Sequence, residues 1–128
     1  MGNQVTNIGG VLSAVTNTVA YTDSSAVTIG TIPANAQIVD INIDVTTAFN
    51  AATTNTVTVG KSGSAAAFVA STSVGSAGRA NIATTGVYSA WADTGAAEVA
   101  VTATYGQTGT AATAGAMRVT VVYRSPAP

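Results

Sequence analysis

Residues 37–47 read QIVDINIDVTT, and apolar and polar side chains alternate through this stretch. The apolar set is Val39, Ile41, Ile43 and Val45, and the polar set between them is Asp40, Asn42 and Asp44. Successive side chains of a β-strand point to opposite faces of the sheet. The spacing therefore predicts a strand with one dry face and one face that meets water or a partner.

The same period of two recurs further along the chain. One segment places Val99, Val101, Ala103 and Tyr105 on one face, and the last places Met117, Val119, Val121 and Tyr123 on one face. Shorter candidate strands cover residues 18–22, 26–32, 55–59, 66–71 and 86–93. Turn residues separate these segments, so the spacing predicts an antiparallel all-β sandwich or barrel of about seven or eight strands.

Helical spacing is short and local in this sequence. Residues 65–70 are alanine-rich and are compatible with one helical turn, or with a weak strand because alanine has poor strand propensity. The glycine-rich segment GQTGTAATAG, residues 106–115, is expected to join the last two strands as a long hairpin loop.

A chain of 128 residues is about one domain. We expect a β-sandwich domain over residues 18–124, preceded by an arm at residues 1–17 and followed by a tail at residues 125–128. Gly9-Gly10 is a candidate hinge within the arm. An arm of this kind can become ordered on a neighbouring molecule, at the cost of its conformational entropy.

The composition is unusually poor in charge. Charged residues make up 7% of the chain, with 4 basic and 5 acidic residues and a net charge of −1. Nucleic-acid binding requires clustered Lys and Arg, and docking on anionic membranes requires polybasic segments, so neither partner is expected. A free monomer so short of charge is weakly protected from association, which suggests that copies of itself or a larger assembly cover much of its surface.

Catalytic chemistry is not expected from this chain. It contains no histidine and no cysteine, which removes the commonest general base, the thiol nucleophile and most transition-metal sites. We therefore predict a protein that is not an enzyme, with no catalytic residues and no cofactor. Asp40, Asn42 and Asp44 remain open as a calcium site, but a hydrated or partner-facing strand surface is the favoured interpretation, with no metal.

A few side chains are candidates for contact with a partner. Trp91 and Tyr88 can stack on a sugar ring, although packing in the core or at a subunit interface is favoured. Arg118 and Arg124 share one strand face, and arginine is common at interfaces; they are candidates to meet Asp40 or Asp44 of a neighbouring copy. The candidate partner contacts are Val5, Ile8, Val11, Leu12, Trp91, Arg118 and Arg124.

The run IPANAQIVDINIDVTTAFNAATTNTVTVGKSGSAAAFVA, residues 32–70, resembles small structural proteins of tailed bacteriophages. Its features are an IPA-like turn, an alternating strand, the sequence TTAFN, a short polar stretch and TVTVG. The closing AMRVTVVYRS, residues 116–125, also resembles the last strand of these proteins.

This resemblance implies a capsid decoration (cement) protein with a jelly-roll-like sandwich. Such a protein binds the outer surface of the phage head, after assembly in the host cytoplasm, and stabilises the expanded shell by bridging major-capsid subunits. Its implied partners are the major capsid protein and itself, as a homotrimer or, as second choice, a dimer. The alternative is a phage tail or fibre-associated module, or a carbohydrate-binding, receptor-binding sandwich.

Overall fold

The computed structural model describes residues 12–125 of the chain, which form eight strands and one short helix. In chain order they are β1 (Leu12–Ala20), β2 (Val27–Ile32), β3 (Gln37–Thr47), β4 (Thr54–Lys61), β5 (Ser64–Ser73), β6 (Gly78–Arg79), α1 (Tyr88–Trp91), β7 (Val99–Thr108) and β8 (Ala116–Arg124). Within the described residues, no helix has the length and apolar character needed to cross a membrane.

The strands form two four-stranded antiparallel sheets. The first sheet has the order β1-β8-β3-β6, and the second has the order β2-β7-β4-β5. The chain pairs with itself as one long hairpin, and the successive strand pairs from its ends inward are β1–β8, β2–β7, β3–β6 and β4–β5. These pairs belong alternately to the first and the second sheet. This nesting is jelly-roll topology. The predicted all-β antiparallel sandwich is therefore confirmed.

The core lies between the two sheets and is built mainly from valine and isoleucine. Its buried members include Val99, Val101, Ala103 and Tyr105 of β7 and Met117, Val119 and Val121 of β8. Large side chains are few, and the Phe49 and Tyr105 rings pack with centroids 4.4 Å apart. The buried face predicted for β7 is confirmed, and the buried face predicted for β8 is confirmed from Met117 to Val121. These predictions hold because alternation along a strand follows directly from backbone geometry.

β3 departs from strict alternation near both of its ends, and its register with β8 shifts between Val45 and Thr47 as well as near its start. Its register with β8 shifts between Ile38 and Asp40, which identifies a β-bulge. Ile38 enters the core with 4% of its surface exposed, whereas Val39 is 44% exposed. The prediction that Val39 shares the dry face is wrong, because the bulge inserts an extra residue and reverses the phase of the alternation before it.

Two local predictions are also corrected. The segment 86–93 is not a strand, because Tyr88–Trp91 form the helix α1. Trp91 anchors this turn by donating a hydrogen bond from Nε1 to the Phe68 carbonyl at 2.9 Å. Residues 65–70 form no helical turn, because they belong to β5, which pairs with β4.

The segment 106–115 is not a hairpin loop. β7 continues to Thr108, and the remaining residues pass from the second sheet to the first, where β8 begins. Gly115 makes this crossing possible, because its φ is +149° and a Cβ there would lie 2.4 Å from the Phe49 ring. Phe49 therefore closes this end of the core beneath the crossing.

The predicted arm at residues 1–17 has a different boundary. β1 begins at Leu12 and pairs along its whole length with β8, from Leu12 opposite Arg124 to Ala20 opposite Ala116. Residues 12–17 thus belong to the sandwich, since they hold an edge of the first sheet. The rest of the arm and residues 126–128 of the tail lie outside the described residues.

Candidate functional site

The polar residues of β3 lie on the outer face of the first sheet, opposite the buried isoleucines. Antiparallel pairing with β8 sets Asp40 beside Val122, Asn42 beside Thr120 and Asp44 beside Arg118. On the other side of β8, β1 continues these rows with Ala14, Thr16 and Thr18. The predicted wet or partner-facing side of β3 is therefore part of a surface four strands wide, which we call the first outer face.

Asp40 has its partner within the same chain. The Arg79 Nη2 atom lies 3.1 Å from both carboxylate oxygens of Asp40. Arg79 stands opposite Asp44 in the register of β6 with β3, so its side chain must run along β3 past Asn42 to reach Asp40. In the described part of the chain, the Asn42 Oδ1 atom is buried and has no hydrogen-bond donor.

This geometry bears on two interpretations of Asp40. Both of its oxygens already accept from a guanidinium group, so a calcium ion at Asp40, Asn42 and Asp44 would compete with Arg79 for these oxygens. Among residues 12–125 there is no cluster of three or more His, Cys, Asp or Glu side chains able to hold a metal. A contact between Asp40 and an arginine of a neighbouring copy would face the same competition.

Trp91 is a core residue of the isolated chain. It is 6% exposed, and Tyr88 packs against it edge-on with ring centroids 4.6 Å apart. Tyr88 is 51% exposed, and its hydroxyl donates to the Ile82 carbonyl at 3.1 Å. The prediction of Trp91 as a partner contact is corrected, because its ring offers no open face for a sugar or a protein.

Arg118 and Arg124 are both exposed and lie on the first outer face, as their shared parity in β8 predicts. Leu12 is 55% exposed and pairs in register with Arg124. These three candidate contacts therefore lie on one surface. Val5, Ile8 and Val11 lie outside the described residues.

The two outer faces differ in charge. All three arginines of the chain, Arg79, Arg118 and Arg124, belong to strands of the first sheet. The four strands of the second sheet contain one charged residue, Lys61, at the end of β4. Its outer face instead presents a ladder of threonines, in which Thr58 pairs with Thr104.

An open cleft of about 470 Å³ lies at one end of the sandwich. It is lined by Lys61, Ser62, Thr94, Ala96, Ala97, Glu98 and Val99. Thr94 is the buried residue of this lining with two hydroxyl hydrogen bonds: it donates to the Pro33 carbonyl and accepts from the Ala36 amide, each at 3.0 Å. The polar groups of Thr94 thus fasten the turn after β2 to the loop before β7.

A second polar network lies around Tyr105. Its hydroxyl donates to the Asn55 Oδ1 atom at 2.7 Å, and Asn55 also accepts from the Ala51 amide. Burial raises the pKa of the Tyr105 phenol above 10.0. Both partners of this network are in strands or turns of the same chain, so it joins β4 and β7 rather than presenting a reactive group.

Arg79 is the residue of this surface that sequence reasoning missed. It lies in a strand of two residues, within a segment rich in glycine, serine and alanine that carries no periodic signal. One signal was present, since Arg79 is the only cation between Lys61 and Arg118. Its pairing with Asp40, however, depends on the contact of β6 with β3.

Comparison with known proteins shows the fold. No protein-family model matches the chain, and no curated protein matches it. A solved structure, the "Cyanophage Pam1 capsid asymmetric unit", contains a chain with 22% sequence identity and a TM-score of 0.71. The likeness covers 98% of this chain and 93% of that chain. The two chains therefore share a complete fold and are similar in length.

Proposed function

We propose that this protein is a capsid decoration (cement) protein of a tailed bacteriophage. It binds the outer surface of the head and stabilises the expanded shell by bridging major-capsid subunits. The observation that carries the proposal is the end-to-end likeness to a chain of a cyanophage capsid asymmetric unit, covering 98% of this chain and 93% of that one. Because so little of either chain is left over, the shared fold is the whole described body of the protein.

The physical character of the chain supports a structural role without catalysis. The core is a continuous cluster of buried side chains between two sheets, which makes a stiff body. The chain has no histidine or cysteine. Its polar networks at Thr94 and Tyr105 are directed at neighbouring segments of the same chain, which serves rigidity.

The proposed assembly is a symmetric oligomer, with a trimer at local threefold positions favoured and a dimer at twofold positions as the second choice. Many copies on one lattice gain effective concentration, so weak single contacts add up to firm attachment. The low net charge of −1 suits a protein whose surface is covered by neighbours.

The test is co-sedimentation of the purified protein with expanded, undecorated heads of the phage that encodes it. We expect saturable binding at a fixed ratio per capsid subunit, and heads that then survive a higher temperature. Binding without any gain in heat resistance would contradict cementing. Absence from the heads, together with recovery in tail fractions, would favour the tail-associated alternative.

A further inference from the structure

We propose that the first outer face is the docking surface of this protein and that its partner there is an acidic, carboxylate-bearing protein surface. This inference rests on the proposed function, in which that surface belongs to the capsid shell. It adds which side of the sandwich faces the shell and which chemistry the shell presents.

The first step of the argument is the distribution of charge. The first outer face carries all three arginines of the chain against two aspartates, Asp40 and Asp44. Arg79 is already engaged by Asp40, and Asp44 lies between Arg79 and Arg118 in the register. Arg124 stands in a row with Leu12 and Gln37, where the neighbouring strands offer no carboxylate. The surface therefore carries a net charge of +1, and Arg124 on β8 is the arginine without a carboxylate beside it.

The second step is the apolar area beside Arg124. Leu12 is 55% exposed on β1, and Val39 is 44% exposed at the bulge of β3. Ala14 and Val122 fill the row next to Leu12 and Arg124. Interfaces combine an apolar centre with arginine and exclude most other charges. The bulge in β3 turns Val39 out of the core and places it next to this apolar area.

The third step identifies the partner. Two copies meeting through this face would set Arg118 and Arg124 of each copy against one aspartate outside the ion pair, Asp44, and the strands of the second sheet hold no carboxylate to offer. The remaining acids lie in loops outside the first outer face: Asp23 accepts from the Ala20 amide and Asp93 from the Gly95 amide. Glu98 lines the same cleft as Lys61. Asp44 stands beside Arg118 in the register, whereas Arg124 has no carboxylate on the neighbouring strands, and we assign its partner carboxylate to the shell protein.

The experiment measures binding of full-length variants to expanded, undecorated heads. In the double variant Arg118→Gln with Arg124→Gln, we expect the affinity to fall by about tenfold or more, since desolvated arginines are frequent hot spots. Arg124→Lys should recover part of the loss of Arg124→Gln, because it restores charge without the bidentate fork. Binding of the unchanged chain should weaken as salt rises from about 50 to about 500 mM.

Lys61→Gln is the matched control, because it removes a positive charge from the cleft at the end of the sandwich. We expect it to change the affinity by less than about twofold, as is usual for a residue outside an interface. Thermal melts should show all variants folded, since exposed substitutions shift stability little.

The outcomes separate this inference from the proposed function. If the unchanged chain binds heads and the double arginine variant binds equally well, the docking face is wrong and the cement function stands. If Lys61→Gln weakens binding as much as the single Arg124→Gln, net charge rather than this face governs attachment, and the inference is also overturned. If the unchanged chain does not bind heads, the proposed function fails and the inference fails with it.

Discussion

Replacing Trp91 with alanine removes the only tryptophan of the chain from a site where its side chain is 6% exposed. Burial of a tryptophan covers about 150–250 Å², which at about 25 cal/mol per Å² corresponds to roughly 4–6 kcal/mol. Measured losses for such truncations are about 3–5 kcal/mol, because the surroundings partly collapse. We expect a loss in that range, against a total stability of about 5–15 kcal/mol for a domain.

Trp91→Phe separates the ring from its hydrogen bond. Phenylalanine fills much of the site but cannot donate the Nε1 hydrogen bond to the Phe68 carbonyl, which keeps the Val87 amide as its other donor. We expect this variant to lose about 0.5–1.5 kcal/mol through the missing hydrogen bond. The matched control is Tyr88→Ala, where the residue is 51% exposed and the loss should be clearly smaller than that of Trp91→Ala.

The assay is urea denaturation followed by far-ultraviolet circular dichroism, because both Trp91 variants lack the fluorescent side chain. In the unchanged chain, Trp91 emission should shift to longer wavelength on unfolding, which gives an independent midpoint. A loss below about 1 kcal/mol for Trp91→Ala would refute the assignment of Trp91 to the core. It would return Trp91 to the set of candidate partner contacts.

Three further expectations concern single positions. Gly30→Ala should lower the free energy of unfolding by about 1–3 kcal/mol, because a Cβ there would lie 2.5 Å from the Val15 Cβ. Gly75→Ala is the control and should cost less, because the nearest atom to a Cβ at Gly75 is 3.8 Å away. Equal losses for the two variants in urea melts would contradict this prediction. Thr94→Val removes the two hydrogen bonds of the Thr94 hydroxyl and should lower the free energy of unfolding by about 2–3 kcal/mol. Thr104→Val on the second sheet is the control and should lower it far less. A difference between the two variants below about 0.5 kcal/mol would count against the Thr94 network. Burial raises the pKa of Tyr105 above 10.0, so its contribution to stability is complete below the unfolded-state pKa of about 10 and is lost as the pH rises through the raised folded-state pKa. Tyr105→Phe should therefore lose less stability than the unchanged chain between about pH 9 and 12, and parallel pH profiles would show that another group is responsible.

The β-class of this protein and much of its core follow from sequence periodicity. The alternation in β7 and β8 correctly identified seven buried side chains, from Val99 to Tyr105 and from Met117 to Val121. It also placed Arg118 and Arg124 on one exposed face. These predictions succeed because the direction of a side chain along a regular strand depends only on the local backbone.

Prediction failed where the strand is irregular or a contact is distant. Val39 was assigned to the core because a bulge leaves no mark in a run of alternating residues. Trp91 stayed among the candidate partner contacts, although packing in the core or at a subunit interface was favoured, because YSAW contains no signal that its indole reaches Phe68, 23 positions away. Residues 106–115 were taken for a hairpin because sequence adjacency does not show that the next strand joins the other sheet.

By itself, the sequence determined that this chain forms strands with one dry face, that it lacks histidine and cysteine, and that its few charges leave arginine as the main cation. Only the tertiary structure decided that β1 pairs with β8 across almost the whole chain, and that Arg79 reaches Asp40. It likewise decided that the arginines share one outer face, on which Arg124 stands beside Leu12. The physical reason is that alternation is a property of neighbouring residues, whereas the pairing of strands depends on how all of the apolar faces are buried together.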